Sequence, residues 1–356
     1  LLALLFATAS NAGQQRIALA APTGKAAARL KQSIEKALDD LAGKVGDKLP
    51  LKELAGRMGA ARTLHSLLGA RPDTRAFAHN KGNPLDVDVL IVDEAPMVHL
   101  DMMASLLDAL PAHATLILLG DKDQLASVEA GAVLGDLCHD AQAGGYTAST
   151  LDYALAASGE AIPGEYTGNA GPLAQQTVML RHSRRFSGPI GQLALAVNAG
   201  DVAHATEVLR AAGEEVSWIE NAHPHHVVQL AAEGYAPYLS AIVAVGGGGE
   251  HEAWVSGILK SFEAFRILCA VREGEWGVGG INEAIEHKLE GAGLIRKRGE
   301  WYVGRPVMVT RNDYGTGVFN GDIGLTLADP SRPGSLRVWF LEGDKARSVL
   351  ATRLRN

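Results

Sequence analysis

The chain has 356 residues, of which 47% are hydrophobic and 21% are charged, and its formal net charge is −7. The length predicts two or more domains, and the composition excludes a chain that is disordered throughout. The acidic balance disfavours a protein that coats nucleic acid with a large basic surface, but it is compatible with a groove that holds a few nucleotides.

Two further features exclude other classes of protein. Cys138 and Cys269 lie far apart and outside any CxxC pair, which predicts reduced thiols rather than a zinc site or a disulfide framework. The apolar residues 1–9 have no basic leading region and are too few to span a bilayer, so we expect them to end a buried helix. We therefore expect a cytoplasmic protein.

The first part of the chain alternates strand and helix patterns. Apolar runs at residues 16–21, 88–93 and 115–120 do not alternate with polar residues, which predicts strands that are buried on both faces. Residues 25–41 and 100–110 have the spacing of helices. This order predicts an α/β fold with a parallel sheet.

The middle of the chain is less regular. Residues 144–171 are rich in Gly, Ala, Ser and Thr, which predicts a loop or an inter-domain connection. Residues 187–200 predict a short helix, with Ser187 as its cap and Gly200 at its end.

The last part of the chain changes from helical to strand patterns. Residues 265–271 predict a buried strand, and residues 280–290 predict a helix that Asn282 caps. Short strands with Gly, Asn and Asp turns follow, a pattern typical of a small β-barrel, at residues 305–310, 320–327 and 335–340.

Two acidic residues, Asp93 and Glu94, follow the predicted strand at residues 88–93. In P-loop motors the first acid of such a pair holds Mg²⁺, and the second can orient or deprotonate the attacking water. Ligands bind at the carboxyl edge of open α/β sheets, where these carboxylates would lie. An acidic strand end that faces solvent is the alternative interpretation.

A second polar strand end contains Asp121 and Gln124. The amide of Gln124 can both donate and accept, so it could form a hydrogen bond with a γ-phosphate. An ordinary polar loop is the alternative, but two such strand ends about thirty residues apart favour a functional edge.

A strand–turn–helix junction contains Pro22, Thr23, Gly24 and Lys25. It is not a P-loop, because position 19 is Leu and position 26 is Ala. Backbone N–H groups and a lysine at the start of a helix nevertheless suit a phosphate, and a nucleic-acid phosphate is the natural candidate.

Three arginines, Arg181, Arg184 and Arg185, lie within five residues. An arginine that reaches across a cleft can stabilise charge on a transferred phosphoryl group. A solvated basic turn is an equally good interpretation of the residues alone.

The residues of these four segments and their order along the chain resemble the RecD family of superfamily 1 DNA helicases. The element from Thr63 to Gly69 resembles that family's TxH element, and residues 268–274, 304–308 and 320–324 resemble its second motor domain and small β insertion. One departure is Pro96, where relatives carry Ser.

The resemblance implies an ATP-dependent 5′→3′ DNA helicase with P-loop NTPase (RecA-like) domains that uses ATP and Mg²⁺. By this resemblance Asp93 would hold Mg²⁺ through water and Glu94 would activate water. Asp121, Gln124 and Arg185 would bind nucleotide, with Gln124 coupling its state to movement. DNA would contact Pro22–Lys25 (Pro22, Thr23, Gly24 and Lys25), Thr63 and His65. Single-stranded and duplex DNA and the subunits RecB and RecC would be its partners.

The resemblance also implies a domain organisation. Residues 1–170 would form a first motor domain, residues 171–303 part of a second, and residues 304–356 a small β insertion. The family's P-loop would lie before Leu1 and its last motifs after Asn356, so we expect residues 1–356 alone not to turn over ATP. A free-standing RecD-like helicase and a non-catalytic DNA clamp are the alternatives.

Overall fold

The computed structural model describes residues 16–45, 59–71, 76–124, 133–183, 187–211, 213–243, 251–311, 313, 315–342 and 345–354. Contacts divide the chain into two compact units, Leu1–Trp218 and Ile219–Asn356. The predicted domain boundaries after residues 170 and 303 stay predictions.

The first unit contains a four-stranded parallel sheet. Its strands are β1 (Ile17–Ala21), β2 (Arg62–Thr63), β3 (Val89–Val92) and β4 (Thr115–Leu118). They lie in the order β2-β1-β3-β4, and every neighbouring pair is parallel. The predicted α/β fold with a parallel sheet is confirmed, although the two-residue strand β2 was not predicted.

Helices cover both faces of this sheet. They are α1 (Gly24–Val45), α2 (Leu64–Leu68) and α3 (Leu100–Ala109). Ile17, Leu19 and Ile91 pack with Leu30 of α1 on one face. Their neighbours along the strands face the other side, where Ala20, Leu90 and Val92 pack with Leu64 of α2 and Leu106 of α3. Successive strand residues point to opposite faces, so only strands that are apolar throughout can fill both layers.

The other elements that the structure describes after β4 in the first unit are helices and turns. Its helices are α4 (Val133–Leu137), α5 (Ala148–Ser158), α6 (Gly188–Ala199) and α7 (Val202–Arg210), with short 3₁₀ turns at Gly164–Tyr166 and Ala174–Gln176. The helix α5 contradicts the prediction of a loop at residues 144–171, whereas the alternative of an inter-domain connection there stays a prediction. Residues 148–158 contain four alanines and two leucines, which favour a helix, and the left-handed Gly159 ends it.

The predicted helix at residues 187–200 is confirmed as α6, and Gly200 ends it in the left-handed conformation. The prediction that the Ser187 side chain caps it is wrong. Ser187 occupies the N-cap position, but its side chain makes no capping hydrogen bond.

The second unit packs three helices against an antiparallel sheet. The helices are α8 (Pro224–Val243), α9 (His251–Glu263) and α10 (Val278–Gly291). The strands β5 (Pro306–Met308), β6 (Ile323–Ala328), β7 (Leu336–Glu342) and β8 (Lys345–Leu350) lie in chain order. Leu325 and Leu327 of β6 pack into one core with residues of all three helices, such as Ile258.

Two expectations for this unit are wrong. Residues 265–271 form no strand, and Leu268 is 93% exposed. A strand needs a neighbour to pair its backbone groups, and none of the described strands lies beside this segment. Asn282 does not cap α10, because the helix begins earlier: Gly277 is its N-cap, and the Ile281 N–H donates to the Gly277 carbonyl at 2.9 Å. Parallel strands occur only in the first unit among the described residues, so a second parallel sheet stays a prediction.

None of the helices that the structure describes is long and apolar enough to cross a membrane.

Candidate nucleotide and DNA site

The predicted site residues follow strands that end at one edge of the parallel sheet. The register pairs Ala21 with Thr63, Ala20 with Val92, and Val92 with Leu118. The segments that leave β2, β1, β3 and β4 therefore start side by side, at the spacing of neighbouring strands, about 4.8 Å. Across this edge the order is Thr63 and His65, then Pro22–Lys25, then Asp93 and Glu94, then Asp121 and Gln124.

The two carboxylates at the end of β3 lie in the middle of this edge. The Asp93 N–H continues the sheet by donating to the Ala20 carbonyl at 2.9 Å. Asp93 Oδ1 accepts from the Glu94 N–H at 2.9 Å. Both side chains are half-buried, so each is accessible to a ligand while the backbone beneath it is fixed.

Glu94 has a left-handed backbone, with φ 54° and ψ 40°, and it is the one non-glycine residue with positive φ in the described chain. Such a conformation costs a non-glycine residue on the order of 1 kcal/mol and is concentrated at functional sites. A 3₁₀ turn, Ala95–Met97, follows directly. The Ala95 N–H donates to the Leu119 carbonyl at 2.9 Å, which joins the turn after β3 to the end of β4.

Asp121 and Gln124 lie in a tight turn after β4. The Gln124 N–H donates to the Asp121 carbonyl at 3.1 Å, and Asp121 Oδ1 accepts from the Asp123 N–H at 3.1 Å. Lys122 Nζ lies 2.6 Å from Asp123 Oδ1. The Asp121 carboxylate thus shapes the turn, a role that the sequence did not indicate, while the exposed Gln124 side chain is accessible to a ligand.

The junction after β1 begins the longest described helix of the first unit. Gly24 and Lys25 are the first residues of the 22-residue α1, after the half-buried Pro22. Thr23 Oγ1 accepts from the Ala26 N–H at 3.2 Å, so Thr23 acts as the N-cap. The positive end of the helix dipole and the Lys25 ammonium therefore lie at the sheet edge, where both attract an anion.

Thr63 and His65 lie beside this junction. Thr63 is the last residue of β2 and the N-cap of α2, and its Oγ1 accepts from the Ser66 N–H at 3.1 Å. His65 is exposed, with its ring centroid 5.9 Å from that of Phe77. Thr23 and Thr63 thus each cap a helix, and they do so at neighbouring strand ends. The residue type alone indicated only that threonine is generally favoured at the N-cap.

The structure describes only part of the arginine segment. Arg185 and Arg184 lie outside the described residues. Arg181 Nη2 donates to the carbonyls of Ala141 and Gln142, both at 2.9 Å, and its guanidinium lies 4.1 Å from the centroid of the Tyr166 ring. Arg181 therefore connects the segment that contains Ala141 and Gln142 with the 3₁₀ turn that contains Tyr166.

The donor set at the sheet edge fits a magnesium ion that is bound together with a nucleotide. Mg²⁺ in nucleotide sites is held by one or two carboxylates, with phosphate and water oxygens as the remaining ligands. Asp93 and Glu94 supply half-exposed carboxylates of this kind. No group of three or more His, Cys, Asp or Glu side chains able to hold a metal occurs in the part of the chain that the structure describes.

The chain is similar to proteins of known families. A family model described as an AAA domain matches residues 2–130. The RecBCD enzyme subunit RecD of Mycolicibacterium smegmatis is 41% identical over 334 residues, which cover 93% of this chain and 52% of that protein. The ATP-dependent RecD2 DNA helicase of Deinococcus radiodurans is 29% identical over 314 residues, which cover 87% of this chain and 32% of that protein.

Among solved structures, the Pif1 helicase from Bacteroides in complex with ADP-AlF3 and ssDNA aligns over 98% of this chain and 66% of that one, with 15% identity and a TM-score of 0.36. The chain spans about half the length of the curated RecD relatives that it matches.

Proposed function

Since this chain belongs to the RecD family, we propose that the protein containing it is an ATP-dependent DNA helicase subunit that moves 5′→3′ along single-stranded DNA. In this proposal it works in the cytoplasm with RecB and RecC as part of a RecBCD (exodeoxyribonuclease V) complex, in the repair of double-strand breaks by homologous recombination.

One observation carries this proposal: a pair of carboxylates suited to Mg²⁺ and a helix start suited to a phosphate lie on adjacent strand ends of one sheet. Asp93 and Glu94 leave β3, while the capped helix start at Gly24 and Lys25 leaves the neighbouring β1. A motor must change how it binds DNA between its ATP-bound state and the state after hydrolysis. Neighbouring strand ends of one rigid sheet suit that coupling, because a displacement of one strand end also displaces the residues that pack against it.

At the nucleotide, each residue has a separate task. Asp93 would hold Mg²⁺, which neutralises charge on the phosphates when it is bound with ATP. Glu94 would accept a proton from the attacking water, and its fixed backbone limits where the carboxylate can lie. Gln124 would form a hydrogen bond with the γ-phosphate, and Arg185 would stabilise its charge.

At the DNA, the contacts would be to the phosphate backbone. The N-terminus of α1 and Lys25 would bind one phosphate, and the exposed His65 would bind its neighbour. Pro22 and Gly24 would lie against the strand, and Thr23 and Thr63 would hold the two helix starts in place through their capping bonds. These contacts do not read base identity, as a motor that moves along any sequence requires.

Two alternatives remain. The first is a free-standing RecD-like helicase that needs neither RecB nor RecC, and the chain is also similar to a protein named ATP-dependent RecD2 DNA helicase. A degenerate motor that only clamps DNA is the second, and the pair Asp93 and Glu94 argues against it.

Strand unwinding by the full-length protein tests the proposal. With ATP and Mg²⁺, we expect unwinding of a duplex with a 5′ single-stranded tail but not of one with a 3′ tail. Adding RecB and RecC would then distinguish a complex-bound from a free-standing helicase. Tight binding of ATP and DNA without unwinding of either duplex, with and without those subunits, would instead support the clamp.

A further inference from the structure

Gly120 lies against the turn that carries Glu94. A Cβ atom added to Gly120 would collide with Pro96 Cδ and would lie 3.1 Å from Pro96 Cγ and 3.2 Å from the Ala95 nitrogen. The backbone of Gly120 is not in the left-handed region, so its conformation does not demand glycine. What demands glycine at this position is therefore the lack of space in front of the Pro96 ring.

The same place holds the hydrogen bond between the two strand ends. The Ala95 N–H donates to the carbonyl of Leu119, the residue before Gly120. Ala95 and Pro96 are both buried, whereas Glu94, directly before them, is half-buried. The turn after β3 can thus follow β4 this closely only because position 120 has no side chain.

We infer that Gly120 and Pro96 form a positioning pair that sets the Glu94 carboxylate relative to Asp121 and Gln124. The inference rests on the proposed function, because it assigns the pair to the ATP site. A side chain at position 120 would push the Ala95–Met97 turn away from β4 and lengthen the Ala95–Leu119 hydrogen bond. Glu94 would move with the turn, since its left-handed backbone persists only while the surrounding contacts fix it.

The position of a general base affects chemistry more than binding. Gly120→Ala should therefore lower kcat for ATP hydrolysis, while KM for ATP stays nearly unchanged. A misplacement of about 1 Å can reduce a rate by roughly a hundredfold. Pro96→Ala removes the two ring atoms that the new methyl group would meet, so it should relieve the defect.

The test measures DNA-stimulated ATP hydrolysis and thermal unfolding of the full-length protein for four variants: Gly120→Ala, Pro96→Ala, the double variant and Gly171→Ala. Gly171 is the matched control, because a Cβ there meets nothing within 4 Å and its φ is not positive. We expect Gly120→Ala to lose kcat by roughly ten- to a hundredfold with KM within about twofold, and the double variant to match Pro96→Ala. We expect Gly171→Ala to behave as the unsubstituted protein.

Three results would overturn the inference: an unchanged kcat in Gly120→Ala, a double variant no faster than Gly120→Ala, or an equal loss in Gly171→Ala. If the unsubstituted protein hydrolyses no ATP, the proposed function fails, and thermal unfolding still tests the contact. The two substitutions at positions 96 and 120 should then be non-additive in melting temperature. Additive changes would overturn the contact as well.

Discussion

The Arg16 guanidinium donates to the Asp88 carboxylate through Nε at 3.0 Å and Nη2 at 2.9 Å, and the Arg16 backbone N–H donates to the same carboxylate at 2.8 Å. Arg16 directly precedes β1 and Asp88 directly precedes β3. His113 Nε2, close to the start of β4, lies 3.2 Å from Asp88 Oδ1. These bonds join three strands at the edge opposite to the candidate site.

The first prediction concerns pH. Hydrogen bonds from the Arg16 side chain and backbone hold the pKa of Asp88 well below its usual value of 3.8. A depressed pKa stabilises the folded state fully above the unfolded pKa and progressively less as the pH falls below it. Between about pH 5 and pH 2, the unsubstituted protein should therefore lose stability more steeply than Asp88→Asn. Denaturant unfolding at several pH values measures this, with the exposed Asp152→Asn as the control. If the free energy of unfolding falls with pH at the same slope in the unsubstituted protein and in Asp88→Asn, the ionisation of Asp88 beside Arg16 is not linked to folding.

The second prediction concerns Lys25 and DNA. If its ammonium neutralises one phosphate, Lys25→Gln should weaken binding of single-stranded DNA regardless of sequence. It should also reduce the slope of log affinity against log salt by about 0.7, the value for one phosphate of a single strand. Lys36→Gln, on an exposed position of the same helix, is the matched control and should leave the slope unchanged. If the salt slope falls equally in Lys25→Gln and Lys36→Gln, Lys25 makes no specific phosphate contact, and the DNA binds away from the start of α1.

The third prediction separates the structural and binding roles of Thr63. Its hydroxyl caps α2, so Thr63→Val should lower the free energy of unfolding by about 1 kcal/mol, whereas Thr63→Ser should keep most of it. Denaturant unfolding measures this difference. A loss of DNA affinity in Thr63→Ser with normal stability would mean that the methyl group itself contacts DNA. No difference in stability between the two variants would contradict the capping role.

The fourth prediction distinguishes two arginines. Arg181→Ala should lower the free energy of unfolding by about 1 kcal/mol, because it removes hydrogen bonds to two carbonyls, and should leave the chemical step intact. Arg185→Ala should instead lower kcat for ATP hydrolysis by roughly 10³-fold at unchanged stability, if Arg185 contacts the γ-phosphate. Single-turnover hydrolysis and thermal unfolding of both variants give the comparison. A normal rate in Arg185→Ala would remove that residue from the proposed site.

The sequence predicted the parallel sheet well because its central strands are apolar on both faces. β1, β3 and β4 all lie within predicted runs, and the polar residues after them meet at one edge, as the order of strands and helices implies. β2 escaped prediction because it is only two residues long, Arg62 and Thr63. Whether these two residues form a strand depends on their pairing with β1, and the local sequence carries no information about that pairing.

The errors also have physical reasons. The segment at residues 265–271 has the residues of a buried strand, but a strand forms only beside another, and Leu268 is exposed. Asn282 is a good cap residue, yet α10 starts at Val278, so the asparagine lies within the helix. In the site, residue types indicated Asp93 and Glu94, but the left-handed backbone of Glu94 and the contact of Gly120 with Pro96 depend on packing between β3 and β4.

The most direct test of the central claim compares ATP hydrolysis by the full-length protein with that of its Glu94→Gln variant, in the presence of single-stranded DNA and Mg²⁺. Loss of a general base predicts a fall in kcat of roughly 10²- to 10⁴-fold. ATP binding should persist, and the exposed Glu35→Gln control should remain active. Hydrolysis by Glu94→Gln at the unsubstituted rate would contradict the proposal that the Glu94 carboxylate, at the end of β3, is the general base for ATP hydrolysis.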